Sequence, residues 1–391
     1  MFSIHSKMWI IIICVLFINT AHTSPTRLKP PLYVKSVSFK SLDQDNFIDR
    51  DNVLNPDKLR TDPMCPAADS IFPCICLLEL AVGKLNIDCS NVIDELQLRQ
   101  VFGTDFPTKD FQNLTILNNS NIKILGNGVF GSVTFEHVRI MKGSLVTIED
   151  SVFILSNTTL KSLDLSWNEI AVFPFPTLNV YMNLMYLCVK ANNIQTFPIF
   201  ASQSLLGLCM SNNPISILPL NPYGYLPHLE HIWLSSTKVK DLPPNMFSSL
   251  HKLETVNLHS NKINRINMDT FKITSQVLQS IDFSDNEIQT IEAGAFIGLH
   301  DSVINLESNK LTILPSDVWQ GVVLQNVKLR IKGNPLLCGC DVAWAVLDPL
   351  FITHLEGAIC ADGHKLTDEC KPCYKLCSPF IELRRLFTFR F

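Results

Sequence analysis

The sequence predicts an α/β solenoid: about ten short strands laid parallel in one concave sheet, with disulfide-bonded caps at both ends. Three observations predict it. A pattern L-x-x-L-x-L-x-x-N-x-L, with L any bulky apolar residue, recurs at intervals of 21 to 25 residues. Cysteines cluster before the first copy and after the last. The 391 residues are 47% hydrophobic and 17% charged, which is ample for a folded core and far from the composition of a disordered chain.

The elements follow in chain order. Residues 1–23 set His5 and Lys7 before an apolar run from Met8 to Ile18, then small polar residues and Ala21-His22-Thr23. This reads as a secretory signal cleaved after Ala21 or Thr23, since 11 residues are too few to cross a bilayer of about 30 Å at 1.5 Å per residue. No later apolar run approaches that length, so no transmembrane segment is expected. Residues 24–64, rich in Pro, Asp, Lys and Asn, read as a flexible extension, an unstructured leader rather than a propeptide or a partner-binding arm. Residues 65–110 form the first cysteine-rich cap, 111–336 the repeats, 337–378 the second cap, and 379–391 a tail without a lipid-anchor signal. Lys plus Arg number 32 against 36 Asp plus Glu, a net charge of −4 with no long basic run, so a nucleic-acid partner is not expected.

The copies begin at 111, 135, 160, 184, 205, 229, 253, 278, 301 and 326, clearest in LKSLDLSWNEI (160–170), LETVNLHSNKI (253–263) and LQSIDFSDNEI (278–288). Their period lies in the range of leucine-rich repeats. Alternating apolar residues turn a strand's one face inward and leave the positions between them outward. The ninth position is Asn119, Asn168, Asn192, Asn213, Asn261, Asn286, Asn309 and Asn334, with Gly143 and Thr237 as exceptions. A column of amides can serve buried backbone groups from coil to coil, so the two exceptional coils are expected to be looser. A second apolar column, Phe130, Phe153, Phe247, Phe271, Phe296 and Trp319, fills the side opposite the strands and bends the stack into a horseshoe. Repeats three to five carry Pro174, Pro176, Pro198 and Pro219 in its place, so their outer side is expected to be extended.

Of 13 cysteines, Cys14 lies in the signal; the other 12 are an even set for an oxidising compartment to pair. Cys65, Cys74, Cys76 and Cys89 precede the repeats; Cys338, Cys340, Cys360, Cys370, Cys373 and Cys377 follow them. Cys188 and Cys209 occupy the fifth position of consecutive copies, side by side at about the 4.8 Å strand spacing, within the Cα range of a disulfide. A cross-strand bridge is expected there. Cys370-Lys-Pro-Cys373 lacks the strand-helix-strand context of a redox motif and the histidines of a zinc site, so structural disulfides are expected.

No P-loop, H-E-x-x-H or G-x-S-x-G occurs. Gly126-Asn-Gly128-Val-Phe-Gly131 matches a dinucleotide fingerprint but lies in a return loop, where turn glycines account for it. No catalytic residue, cofactor or metal is expected. The outward strand positions Tyr186, His231, Trp233, Asn257, His259 and Asp282 form a central band of aromatics among hydrogen-bonding groups, the mixture that protein interfaces concentrate. His231 and His259 are the alternative, an acid/base pair, on a surface too open to exclude water. Sequons at Asn113, Asn118 and Asn157 fit a glycoprotein, and glycans on the first coil would shift partner contact toward the middle.

The segments CPAADSIFPCIC (65–76), LRQVFGTDFPTKDFQNLTI (98–116) and NPLLCGCDVAWAVLDP (334–349) resemble secreted arthropod leucine-rich-repeat proteins, many named after the non-catalytic subunit of the Oplophorus luciferin monooxygenase. The resemblance implies an extracellular horseshoe without catalysis of its own. By the pairing usual in the caps of extracellular relatives, it implies Cys65 with Cys76, Cys74 with Cys89, Cys338 with Cys360 and Cys340 with Cys370, leaving Cys373 and Cys377 unassigned. The expected function is a secreted protein-binding scaffold for an extracellular or cell-surface protein; a small catalytic subunit is the alternative partner.

Overall fold

The computed structural model describes residues 63–79, 83–369 and 371–377. The signal, nearly all of the extension, the tail and Cys370 lie outside the described residues. What is described falls in one compact unit, Pro56–Phe391.

Each copy of the repeat supplies one strand to a single sheet, which has 13 strands among the described residues. The ten are Asp110–Leu117, Thr134–Met141, Ser162–Asp164, Tyr186–Cys188, Gly207–Cys209, His231–Trp233, Thr255–Asn257, Ser280–Asp282, Val303–Asn305 and Lys328–Arg330. All pair in parallel and in register with their sequence neighbours. An antiparallel hairpin, Ile75–Glu79 on Lys84–Asp88, begins the sheet, and the two-residue strand Leu355–Glu356 ends it. Inward residues such as Leu114, Val138, Ile232 and Ile304 are fully buried, so alternation and burial agree along the stack.

The asparagine column is present. In seven of the eight copies, Asn119 apart, the amide nitrogen donates to a carbonyl of the preceding coil, as Asn192 does to Leu165 O at 3.0 Å, and Oδ1 accepts that coil's amide, here Ile170 N at 3.0 Å. At the two exceptions the preceding coil satisfies itself. Ile122 N, which would face position 143, donates to its own coil's Asn119 Oδ1, and Ile215 N, which would face Thr237, donates to Asn213 O at 2.8 Å. Those junctions therefore keep their hydrogen bonds but lose a tie between coils.

One column was not read from the sequence. The residue before each asparagine position lies in the left-handed region in all ten coils: Asn118, Lys142, Trp167, Ala191, Asn212, Ser236, Ser260, Asp285, Ser308 and Gly333, with φ from 51° to 77°. This bend carries the chain out of the strand, and a side chain there is strained by about 1–2 kcal/mol. None of the ten is β-branched, the class that tolerates it least.

The opposite wall stacks as expected. Phe130 lies 5.4 Å from Phe153, Phe247 4.9 Å from Phe271, Phe271 5.4 Å from Phe296 and Phe296 5.7 Å from Trp319. The fifth coil also contributes to the column: Tyr223 stacks on Phe247 at 5.7 Å. Phe175–Val180 in the third coil is a 3-10 helix rather than extended chain, because Pro174 and Pro176 fix φ near the value the first turn requires. Tyr223 is fully buried and its hydroxyl finds no partner among the described residues. Tyr223→Phe is therefore expected to stabilise the chain by about 1 kcal/mol, read as a higher urea midpoint at unchanged slope; a lower midpoint would show that the hydroxyl is satisfied.

The caps carry disulfides Cys65–Cys76, Cys74–Cys89, Cys338–Cys360 and Cys340–Cys377. The last corrects the expected Cys340–Cys370 pairing. The short helix Lys371–Lys375 folds back, its Tyr374 hydroxyl donating to Cys338 O at 2.7 Å, and this carries Cys377 to Cys340. Cys373 is also disulfide-bonded. The second correction concerns Cys188 and Cys209, which are not bridged. They are register partners, but matched positions of parallel strands project side by side. Their Cβ atoms then stay near the ~4.8 Å strand spacing instead of converging to the ~3.8 Å that a disulfide needs.

Candidate functional site

The outward face is built from the third, fifth and seventh positions of each coil. Its centre is set by a missing side chain. Gly207 holds the third position of the fifth coil, and a Cβ there would lie 2.7 Å from Tyr186 Cδ1 and 3.2 Å from Trp233 Cζ3. Both rings thus lean onto bare backbone from the coils on either side. The His231 ring stacks on Trp233 with centroids 5.4 Å apart, and its Nδ1 meets Thr255 Oγ1 at 3.0 Å. Trp233 is only 8% exposed. It forms the floor of the patch, while Tyr186 and His231 are half-buried and form its surface.

Two carboxylates adjoin the rings, and sequence reasoning missed them. Glu230 and Glu254 take the second position of consecutive coils. Partial burial, and then the neighbouring Glu254 charge, hold the Glu230 carboxyl above its usual range. Burial first, and then both glutamates, push the Tyr186 phenol up. Burial holds His231 below the ordinary imidazole value, against the pull of Glu254, so the ring is neutral at pH 7. The available signal was a repeated glutamate at one position of adjacent copies.

Asn257 and Asp282 are on the face but turn back to the chain. Asn257 Oδ1 accepts His259 N at 2.9 Å; Asp282 Oδ1 accepts Ser284 N at 2.8 Å and its hydroxyl at 2.6 Å. Asp164 does the same with Ser166, and Asn305 with Glu307 N. The fifth-position carboxylate or amide is thus a local cap on the end of its strand. Asp164 is half-buried in doing so, and its desolvation raises its carboxyl above the usual range despite the Ser166 hydrogen bonds. Cys188 lies beside it, Sγ 3.2 Å from Ser166 Oγ.

His259 has the contacts of a hydrolase relay: Nε2 is 2.9 Å from Ser260 Oγ, and Nδ1 is 2.9 Å from Ser284 Oγ and 3.4 Å from Asp285 Oδ2. The surroundings are open to solvent. The Asp285 side chain is 52% exposed and that of His259 37%, so water screens the pair instead of being excluded from it. His231 and His259 make no hydrogen bond to each other, and their partners differ.

The remaining motif positions serve structure. Gly131 closes the return loop at φ +55, with Phe102 O only 2.2 Å from where its Cβ would be. Asn113 is half-buried with its amide on Asn86 Oδ1, whereas Asn118 is exposed. Among the described residues no group of three or more His, Cys, Asp or Glu is arranged to hold a metal ion, and no helix is long and apolar enough to cross a membrane.

Two family profiles match the chain: leucine rich repeat over residues 227–275 and 252–311, and BspA type leucine rich repeat region over 104–223. The Oplophorus-luciferin 2-monooxygenase non-catalytic subunit of Oplophorus gracilirostris is 28% identical over 309 residues, 77% of this chain and 85% of that protein. Leucine-rich repeat-containing protein 3 of Danio rerio is 31% identical over 89 residues, 22% of this chain and 32% of that one. Among solved structures, a chain of the octameric complex of Latrophilin 3, Unc5D and FLRT2 aligns with a TM-score of 0.60 at 18% identity, covering 72% of this chain and 87% of its own. That likeness is one of fold.

Proposed function

Because the chain is a leucine-rich-repeat protein that resembles a non-catalytic subunit over most of its length, we propose that it is an extracellular, non-enzymatic scaffold that binds a protein through its concave face. The observation that carries this reading is the Tyr186–Gly207–Trp233 patch with Glu230 and Glu254 at its rim. Large rings lie there on an outward surface where the core does not need them. Most other outward side chains in these coils are small or engaged locally. A rigid sheet holds the patch, so little ordering entropy opposes binding. The apolar run at residues 8–18 and the disulfides of both caps support export.

Cross-linking mass spectrometry on native material is the test. Cross-links from a partner should concentrate on coils four to eight, and Tyr186→Ala should weaken capture by at least about thirtyfold, as for an interface hot spot of about 2 kcal/mol. Cross-links confined to the outer wall, with capture unaffected by Tyr186→Ala, would remove the concave assignment. Ester hydrolysis by the purified chain that disappears in Ser260→Ala would remove the non-enzymatic part. A second reading, an accessory subunit holding a small secreted oxidoreductase, is favoured by the 28% identity that spans 85% of the Oplophorus subunit. A stoichiometric small enzyme in the native preparation would select it.

A further inference from the structure

On the flank just after the asparagine turn, a recess of about 590 Å³ opens across four coils and is lined by Ser216, Lys238, Lys240, Lys262, Asn264 and Glu287. Lys238 and Lys262 hold the same position of consecutive coils, so their backbones are only about 4.8 Å apart; Lys240 lies two residues on. The one carboxylate of the lining is already neutralised: Glu287 meets Lys310 at 3.2 Å and Lys262 at 3.4 Å, and these ammonium groups hold its carboxyl below the usual range. Neither Lys238 nor Lys240 has an ion pair among the described residues. A chain of net charge −4 thus places three lysines around one recess and leaves two of them, Lys238 and Lys240, without a compensating carboxylate among the described residues.

We propose that this recess binds a linear sulfated saccharide. The lining selects this chemistry. Ammonium groups are compact, strongly hydrated charges suited to separate sulfates or carboxylates along a polymer, whereas planar bidentate recognition of phosphate calls for arginine. Ser216 and Asn264 add a hydroxyl and an amide for sugar hydroxyls. There is no aromatic side chain to stack a nucleobase and no apolar one to enter a bilayer. The solenoid sets the spacing of the two matched cations, because Lys238 and Lys262 stand one coil apart, at about the strand spacing. This site is independent of the concave face and does not rest on the binding role proposed for it.

The probe is a heparin-derived octasaccharide titrated calorimetrically into the full chain from low to near-physiological chloride. It should bind, and its affinity should fall as chloride rises. Lys238→Ala with Lys240→Ala should weaken binding by about tenfold or more and lower the salt slope by about two, one per cation removed. These lysines are exposed, so the fold, checked by circular dichroism, should be unaffected. Removing two charges elsewhere, Lys328→Ala with Lys332→Ala, should leave affinity unchanged, as should Tyr186→Ala. No binding of the octasaccharide overturns the proposal, as does an equal loss in the Lys328 and Lys332 variant, which would mean a diffuse field. Inorganic phosphate that competes better than the saccharide would overturn the assigned chemistry.

Discussion

Asn213→Leu is expected to destabilise the chain by roughly 2–6 kcal/mol, the range for two buried backbone groups left unpaired at about 1–3 kcal/mol each. Asn213 is 2% exposed. Its amide nitrogen donates to Met210 O at 3.0 Å and Val189 O at 2.9 Å, and its Oδ1 accepts Ile194 N at 3.0 Å. Val189 O keeps a second donor, Asn192, so Met210 O and Ile194 N are the groups orphaned. Leucine matches the branching and heavy-atom count but offers neither donor nor acceptor. In a stack whose coils touch only their neighbours the damage stays local: amide exchange at Ile194 should accelerate strongly while the ninth and tenth coils keep their protection. Thr237→Ala is the internal comparison and should lose only about 1 kcal/mol, since the amide that would face it is already served by Asn213 O. Equal losses at the two positions would mean that the column does not tie the coils together.

Phe271→Ala should destabilise by about 3–5 kcal/mol. Its ring is fully buried between Phe247 and Phe296, with Phe283 edge-on at 5.2 Å, so the cavity has rigid rings on three sides and little means of collapsing. The outer wall would lose its continuity between the seventh and eighth coils. Urea unfolding should show a lower midpoint or a separate early transition of the C-terminal coils. A loss below about 1 kcal/mol would indicate that the wall repacks freely, contrary to the close packing of folded interiors.

The repeat was legible because its period is a statement about geometry. Every copy starting between 111 and 326 became a strand of one sheet, and the ninth-position residues align. What escaped reading depends on side-chain direction or on local competition for hydrogen bonds. Cys188 and Cys209 are neighbours as their spacing says, yet parallel strands keep matched Cβ atoms apart. Trp233 is outward by alternation, yet the bare backbone at Gly207 lets it lie down and be covered. Asp282 and Asn257 are outward too, but each cap engages its own strand end, a contact between residues two apart that periodicity does not register. The tie between Cys340 and Cys377 required knowing that Lys371–Lys375 folds back.

The antiparallel hairpin at one margin of the sheet and the two-residue strand at the other have a bearing on assembly. A ladder of parallel strands could in principle grow by adding identical coils from a second molecule, as fibrous aggregates do. Here the first margin runs in the opposite direction, with its outer strand stapled through Cys76, and the last is too brief to template a newcomer. Neither margin of the described sheet therefore invites further coils, and concentrated solutions should gain no order along the stacking axis.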